Sequence, residues 1–138
     1  MFCGHCGHHI PDTNKFCSRC GAPLSVHFAT SEDKDVFVIT AKMDTLDYTN
    51  HGEMISIFGR VMKKKVLVDL GEVRFIDSVG IGTLVTMYYK TNRTKQDIKV
   101  VGVNPNIMNS IKALGVDNVF VIHEDKEHAF ADWGIATI

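Results

Sequence analysis

The sequence lacks several features that would assign it to common functional classes. No apolar run approaches the ~20 residues of a membrane-spanning helix. The start Met1-Phe2-Cys3-Gly4-His5 has neither the basic residues nor the apolar segment of a secretory signal. The formal net charge of the 138 residues is −1, so we expect no bulk attraction to nucleic acid or to an anionic membrane. No cysteine follows Cys20, so no disulfide staples the larger part of the chain, and a cytoplasmic location is the default expectation.

Motifs of common enzymes are also missing. The sequence contains no G-x-x-x-x-G-K-[ST] phosphate loop and no G-x-G-x-x-G dinucleotide fingerprint. The residues around Ser78 do not form the G-x-S-x-G turn of a hydrolase nucleophile. No spacing links His27, His51, His123 or His128 to this serine. We therefore expect a binding module rather than an enzyme, and no small-molecule substrate.

All four cysteines lie in residues 1–24, in two C-x-x-C pairs that are each followed by glycine. A C-x-x-C turn places both sulfurs on one side of a tight bend, and the following glycine can complete the bend at positive φ. Two such turns supply four thiolates in a tetrahedron, which is the closed geometry of structural zinc. We therefore predict a short zinc ribbon over residues 1–24, with Zn²⁺ bound by Cys3, Cys6, Cys17 and Cys20.

Other roles for these cysteines are open but less well supported. A disulfide pair needs an oxidising compartment, and a redox C-x-x-C should lie at a strand-to-helix turn. His5, His8 or His9 could replace one cysteine as a ligand. A segment this short cannot bury enough apolar surface to fold alone, so metal binding would supply its folding energy.

After a linker at residues 22–25, apolar runs typical of strands alternate with helical patterns. The predicted strands cover residues 26–29, 36–41, 66–70, 98–103 and 119–122. The predicted helices cover residues around 54–62, 81–89, 107–114 and 124–133, with Asp44 or Asp47 capping the first. The first two strands can form a hairpin, and the later alternation implies a mostly parallel sheet. We expect an α/β fold over residues 26–138 with about five strands and about four helices.

The run Phe75-Ile76-Asp77-Ser78-Val79-Gly80-Ile81-Gly82 predicts a strand end, a cap and a helix start. Phe75 and Ile76 are strand formers, and Asp77 and Ser78 are residues that cap helices. A helical stripe follows at Ile81, Leu84, Val85, Tyr88 and Tyr89. The two glycines cost a helix about 1 kcal/mol each. They indicate that another surface approaches closely, which is either a partner or simply the protein's own sheet.

This run resembles the signature of STAS domains, the fold of bacterial anti-sigma-factor antagonists. In that family, Phe/Met-(Ile/Met)-Asp-Ser-Ser-Gly-(Leu/Ile)-Gly carries the regulatory serine directly after the aspartate. Ser78 matches that serine, whereas Val79 replaces the second serine of the family pattern. A second family run, Gly-x-(Leu/Met)-Asp, corresponds to Ala41-Lys42-Met43-Asp44, in which the glycine is missing and Asp44 is kept. The resemblance covers about residues 26–138.

The resemblance implies a STAS-type fold and a function in partner switching. Unmodified protein would bind an anti-sigma factor that is also a serine kinase, and phosphorylation of Ser78 would end that binding. The implied partner-binding residues are Asp44, Asp77, Ser78, Val79, Gly80 and Gly82. Thr83 is the nearest alternative hydroxyl, but it lies within the predicted helix. The alternative function is a STAS scaffold or sensor without phosphorylation, whose zinc ribbon contacts protein or nucleic acid.

Overall fold

The computed structural model describes residues 7–11, 17–20 and 27–135. Beyond the ribbon residues, it contains seven strands and four α-helices in the described part of the chain. The strands are β1 (Phe28–Asp33), β2 (Val36–Ala41), β3 (Thr45–Leu46), β4 (Lys65–Asp69), β5 (Phe75–Ile76), β6 (Asp97–Val101) and β7 (Ile122–His123). The helices are α1 (His51–Phe58), α2 (Ser78–Thr94), α3 (Pro105–Ala113) and α4 (Lys126–Asp132). In these described segments, no helix combines the length and apolar character needed to cross a membrane.

Five strands form a mixed sheet in the order β1-β2-β4-β6-β7. β1 pairs antiparallel with β2, and every later pair in this sheet is parallel. Parallel strands need crossover connections, and α1, α2 and α3 supply them. This mixed sheet with four helices confirms the predicted STAS-type α/β fold.

The sheet is covered on both faces, by unequal numbers of helices. One core joins the sheet to buried side chains of α1, α2 and α3, including Met54, Leu84 and Ile107. The second core packs Ala129 and Phe130 of α4 against the other face. Strands buried on both faces read as near-continuous apolar runs, as Val66-Leu67-Val68 in β4 does.

Some predicted boundaries were wrong for local reasons. The hairpin turn is shorter than predicted, because β1 continues to Asp33 and only Lys34 and Asp35 turn, both at positive φ. The predicted strand at 119–122 is a turn followed by the two-residue β7. The strand β3 was not predicted, since two residues show no periodicity.

The beginning of α1 also differs from the prediction. Its N-cap is Asn50 rather than Asp44 or Asp47, and Asn50 Oδ1 accepts a bond from Asp47 N (2.9 Å) instead of from the helix. Met62 falls within the helix predicted at residues 54–62, but it lies beyond the end of α1 and is 90% exposed.

Candidate functional site

Two short strands bring the predicted partner-binding residues together. β3 pairs in parallel with β5, so that Thr45 lies opposite Phe75 and Leu46 opposite Ile76. Asp44 O accepts from both Arg74 N (2.8 Å) and Phe75 N (3.0 Å). Asp44 therefore lies immediately beside the segment that leads into Ser78, although the two are distant in sequence.

Asp77 is the residue that fixes the turn before α2. Its Oδ1 accepts from Gly80 N (2.7 Å) and its Oδ2 from Tyr48 N (3.2 Å), while its own N–H donates to Leu46 O (3.2 Å). The backbone of Asp77 is extended, and its side chain caps the helix. The carboxylate thus satisfies a free N–H of the helix and also ties down the loop that precedes α1.

Ser78 is the first residue of α2 and is not its cap. Ser78 is exposed to solvent. Both Asp77 and Ser78 were expected to cap the helix, and only Asp77 does so. Replacing Ser78 by alanine should therefore cost less than the ~1 kcal/mol typical of losing a cap.

Exposed apolar side chains lie on the segments next to this serine. Tyr48 is 72% exposed, Phe75 56% and Val79 39%. Val79 follows Ser78 directly and Phe75 lies three residues before it. The backbone N–H of Tyr48 donates to the carboxylate of Asp77, the residue before Ser78. We call Tyr48, Phe75, Ser78, Val79 and Gly82 the Ser78 patch.

The two glycines of the first turn differ in their surroundings. A Cβ atom on Gly80 would lie 2.6 Å from Leu46 O and 2.8 Å from Ile76 Cγ1, so this glycine lets α2 pack on β3 and β5. A Cβ atom on Gly82 would have no neighbour within 4 Å, and Gly82 is exposed. Only Gly82 therefore belongs to the open surface.

The alternative hydroxyl, Thr83, lies inside the protein. Thr83 is 3% exposed, and its Oγ1 donates to Val79 O (3.0 Å). His51 Nδ1 lies 2.9 Å from the same oxygen and links the start of α1 to α2. Of these two residues, Ser78 is exposed at the surface and Thr83 is buried.

The loop before α1 adds residues that the sequence pattern did not indicate. Thr49 donates to Asp47 Oδ1 from its hydroxyl (2.5 Å) and its N–H (2.9 Å). These bonds favour the ionised carboxylate and hold the pKa of Asp47 below its ordinary value. Tyr48, which lies between them, was missed because a single exposed aromatic residue in a loop has no periodic pattern. The sequence signal that could have indicated this loop is the turn-forming run Asp47-Tyr48-Thr49, in which the aspartate side chain accepts from the residue two positions later.

Of the four predicted metal ligands, Cys17 and Cys20 lie within the described residues. The Cys17 sulfur accepts from Arg19 N (3.4 Å) and Cys20 N (3.5 Å), and Cys17 is buried while Cys20 is exposed. Backbone N–H groups that point at a sulfur stabilise thiolate, the form that binds metal. Gly7, directly after Cys6, has φ +78° as predicted for the end of a C-x-x-C turn. The described half thus fits a thiolate metal site, whereas Cys3 and Cys6 lie outside the described residues.

Comparison with protein families gives a match to each part of the chain. A model described as a zinc-ribbon domain matches residues 2–24. A model described as a STAS domain matches residues 27–129.

Solved structures similar to this chain share its fold. An anti-sigma factor antagonist from Mycobacterium paratuberculosis is 21% identical with a TM-score of 0.67, over 76% of this chain and 91% of that one. An anti-sigma-factor antagonist (STAS) domain protein from Planctomyces limnophilus is also 21% identical with a TM-score of 0.67, over 76% and 95%. The Bacillus cell fate determinant SpoIIAA in its phosphorylated form is 13% identical with a TM-score of 0.59, over 77% and 98%.

Proposed function

The chain belongs to the STAS family, and on that premise we propose that it is an anti-sigma-factor antagonist that acts by partner switching. In its unmodified form it binds an anti-sigma factor that is also a serine kinase, and this binding releases a sigma factor. The kinase phosphorylates Ser78, the complex dissociates, and a phosphatase restores the unmodified serine. The function is that of a regulatory binding module in the cytoplasm.

The observation that carries this proposal is the exposure of Ser78 within an apolar patch. Protein docking surfaces combine exposed aromatic side chains with a polar rim. Tyr48 and Phe75 are the exposed aromatic residues here, and Asp44, 79% exposed at its side chain, lies at the rim. The Ser78 hydroxyl is therefore accessible to a kinase that docks on these residues.

Phosphate on Ser78 would oppose docking through charge and size. It adds roughly −1.5 to −2 charges at pH 7. The N-terminus of α2 tolerates a negative charge in the free protein, because helix dipoles favour anions there. In a complex, however, the phosphate would sit beside the Asp77 carboxylate and enlarge the surface that Gly82 keeps low. Phosphorylation therefore weakens binding and leaves the fold intact.

The ribbon is a separately folded part of the protein that binds zinc. Cys3, Cys6, Cys17 and Cys20 would hold a structural Zn²⁺, which leaves no open coordination position for catalysis. The boundary between the ribbon (1–24) and the STAS domain (26–138) lies near Ser25. The donor set, with backbone N–H groups on the Cys17 sulfur, supports this assignment.

Binding to the kinase partner tests the proposal directly. The affinity of the wild type should be kept in Ser78→Ala, which removes the hydroxyl, and weakened about tenfold or more in Ser78→Asp, whose added charge mimics part of a phosphate. The effect of Ser78→Asp is smaller than that of phosphate, since aspartate carries one charge rather than nearly two. Isothermal titration of each purified variant with the partner measures these affinities.

Ser56→Asp is the matched control, because Ser56 is an exposed serine of α1 outside the Ser78 patch. It adds the same charge and should leave the affinity unchanged. Equal affinity of Ser78→Asp and the wild type would contradict the switch and favour a STAS scaffold that is not controlled by phosphorylation.

A further inference from the structure

Asp77 uses its two carboxylate oxygens on two different segments of the chain. Oδ1 accepts a hydrogen bond from Gly80 N (2.7 Å) in the first turn of α2, which is an ordinary helix cap. Oδ2 accepts from Tyr48 N (3.2 Å) in the loop between β3 and α1. The second contact therefore joins the residue before Ser78 to a loop that lies 29 positions earlier in the chain.

The loop that contains Tyr48, residues 47–50, is shaped by a separate set of hydrogen bonds. Thr49 N donates to Asp47 Oδ1, and Asp47 N donates to Asn50 Oδ1, both at 2.9 Å. Asn50 Nδ2 donates to Thr45 O in β3 at 2.8 Å. These bonds give the loop its internal form and attach it to β3, but none of them reaches the start of α2. The bond from Tyr48 to the capping carboxylate supplies that connection.

The bond from Tyr48 is the weaker of the two that the Asp77 carboxylate accepts. It is longer than the cap bond from Gly80, and it lies at the surface, where water competes for both partners, whereas the cap bond is partly buried. Tyr48 is 72% exposed, so side-chain packing does little to hold it. Segments with few buried contacts and solvent-exposed hydrogen bonds open at a low cost in free energy. The position of Tyr48 is therefore sensitive to anything that disturbs the Asp77 carboxylate.

A negative charge on Ser78 would disturb that carboxylate directly. Ser78 is exposed, follows Asp77 in the chain and begins α2. A charged group on its side chain would compete for the first-turn N–H groups of the helix, which favour anions, and would repel the carboxylate next to it. Because the bond from Gly80 is shorter and better shielded, we expect Asp77 to keep it and to lose the longer bond from Tyr48.

We propose that Asp77 is a positioning residue that couples Ser78 to Tyr48, so that a negative charge on Ser78 releases the Tyr48 loop from the start of α2. The source of that charge, a phosphate, rests on the proposed function. Phosphorylation would then act twice on the Ser78 patch, because it adds charge to that surface and also displaces an exposed aromatic side chain from it. The coupling between the two residues belongs to the free protein and does not depend on any partner.

Hydrogen exchange of the Tyr48 amide, followed by NMR in the full chain without a partner, tests this coupling. Ser78→Asp adds the charge, and Ser78→Asn adds a side chain of the same size without it. A negative charge nearby slows base-catalysed exchange by itself, so faster exchange reports the loss of the hydrogen bond. We expect the Tyr48 amide to exchange several-fold faster in Ser78→Asp than in Ser78→Asn. Equal or slower exchange in Ser78→Asp would overturn the proposal.

Asp77→Asn separates positioning from capping. Asparagine caps a helix about as well as aspartate but offers one acceptor oxygen. It should therefore keep the bond from Gly80, lose the bond from Tyr48 and leave the midpoint of urea unfolding close to that of the wild type. In this background Ser78→Asp should no longer speed exchange of the Tyr48 amide, because no bond remains to be broken. An increase that persists there would overturn the role of Asp77. These measurements need neither the kinase nor a phosphate, so they decide the coupling even if the proposed function fails.

Discussion

At the scale of single residues, Gly80 and Gly82 serve different purposes although they share one turn of α2. Gly80 is buried, and its missing side chain allows the backbone of Leu46 to approach. A side chain at Gly82 would meet open space, so the fold of the protein does not require glycine at this position. A glycine within a helix that no internal contact requires costs stability. Under the proposed function, the gain that offsets this cost is a low surface beside Ser78 for a docked partner.

The two substitutions Gly80→Ala and Gly82→Ala should therefore have opposite effects on stability. Gly80→Ala forces a methyl group against backbone and should destabilise the protein by about 1–3 kcal/mol. Gly82→Ala should stabilise it by up to ~1 kcal/mol through helix propensity, yet weaken binding of the kinase partner. Urea unfolding and titration with the partner measure the two effects. A Gly82→Ala variant with unchanged affinity would show that this residue lies outside the docking surface.

The sequence predicted part of this site and could not predict the rest. Phe75-Ile76 followed by Asp77-Ser78 indicated a strand end and a helix start, and both are present. Which of the two polar residues caps the helix could not be predicted, because aspartate and serine are about equally good caps. The contact between Tyr48 and Asp77 joins residues 29 positions apart. Such a contact depends on the pairing of β3 with β5, for which two-residue strands give no sequence signal.

At the scale of elements, α4 is the only described helix on its face of the sheet, and a buried cation helps to hold it there. The Lys99 side chain in β6 is 4% exposed and donates to Asp132 Oδ2 at the end of α4. His123 Nε2 in β7 lies 3.3 Å from the same oxygen. Trp133 lies with its ring 5.2 Å from Lys99 Nζ and donates to Asp97 Oδ2 (2.6 Å). Removing Asp132 would leave the Lys99 ammonium buried without its counter-ion, which is costly.

This contact makes the stability of the protein depend on pH in acid. The hydrogen bond from Lys99, followed by its charge, holds the pKa of Asp132 below the ordinary carboxyl value of 3.8. A lowered pKa in the folded state stabilises the protein above that ordinary value, and the contribution is lost as the pH falls through the lowered pKa. Asp132→Asn should therefore be less stable than the wild type at pH 7, and the difference should shrink toward pH 3.

Fluorescence of Trp133, the only tryptophan in the chain, monitors urea unfolding beside this contact. Asp117→Asn removes an exposed carboxylate elsewhere and serves as the control for net charge. An equal loss of stability at pH 7 and pH 3 in Asp132→Asn would mean that the ion pair does not contribute as described.

At the scale of the whole molecule, the order of the large elements was predictable because apolar runs and helical stripes recur over many residues. The sheet β1-β2-β4-β6-β7 contains one antiparallel hairpin and then parallel pairs only, as the predicted hairpin and the alternation of strands and helices imply. The short edge strand β7 was misplaced, since an apolar run such as Val119-Phe120-Val121-Ile122 also suits a partly buried turn. A strand at the edge needs only two paired residues, and its extent depends on its neighbour β6.

The two parts of the molecule should unfold independently. If the ribbon binds zinc as we propose, metal supplies its folding energy, whereas the STAS domain has its own cores on both faces of the sheet. A chelator should therefore disorder only the ribbon, and deletion of residues 1–24 should leave residues 26–138 folded. Circular dichroism during urea unfolding, with and without chelator, checks this. Loss of the cooperative transition on chelation would mean that the ribbon and the sheet share a core.

We propose that modification of Ser78 controls partner binding. Mass spectrometry of the protein purified from its own cells, with the phosphate located on the sequence, measures whether Ser78 is modified. We predict phosphate on Ser78, none on the buried Thr83, and no phosphate in Ser78→Ala. Phosphate located only at another residue, or none under conditions in which the partner kinase is active, would show that Ser78 is not the switch.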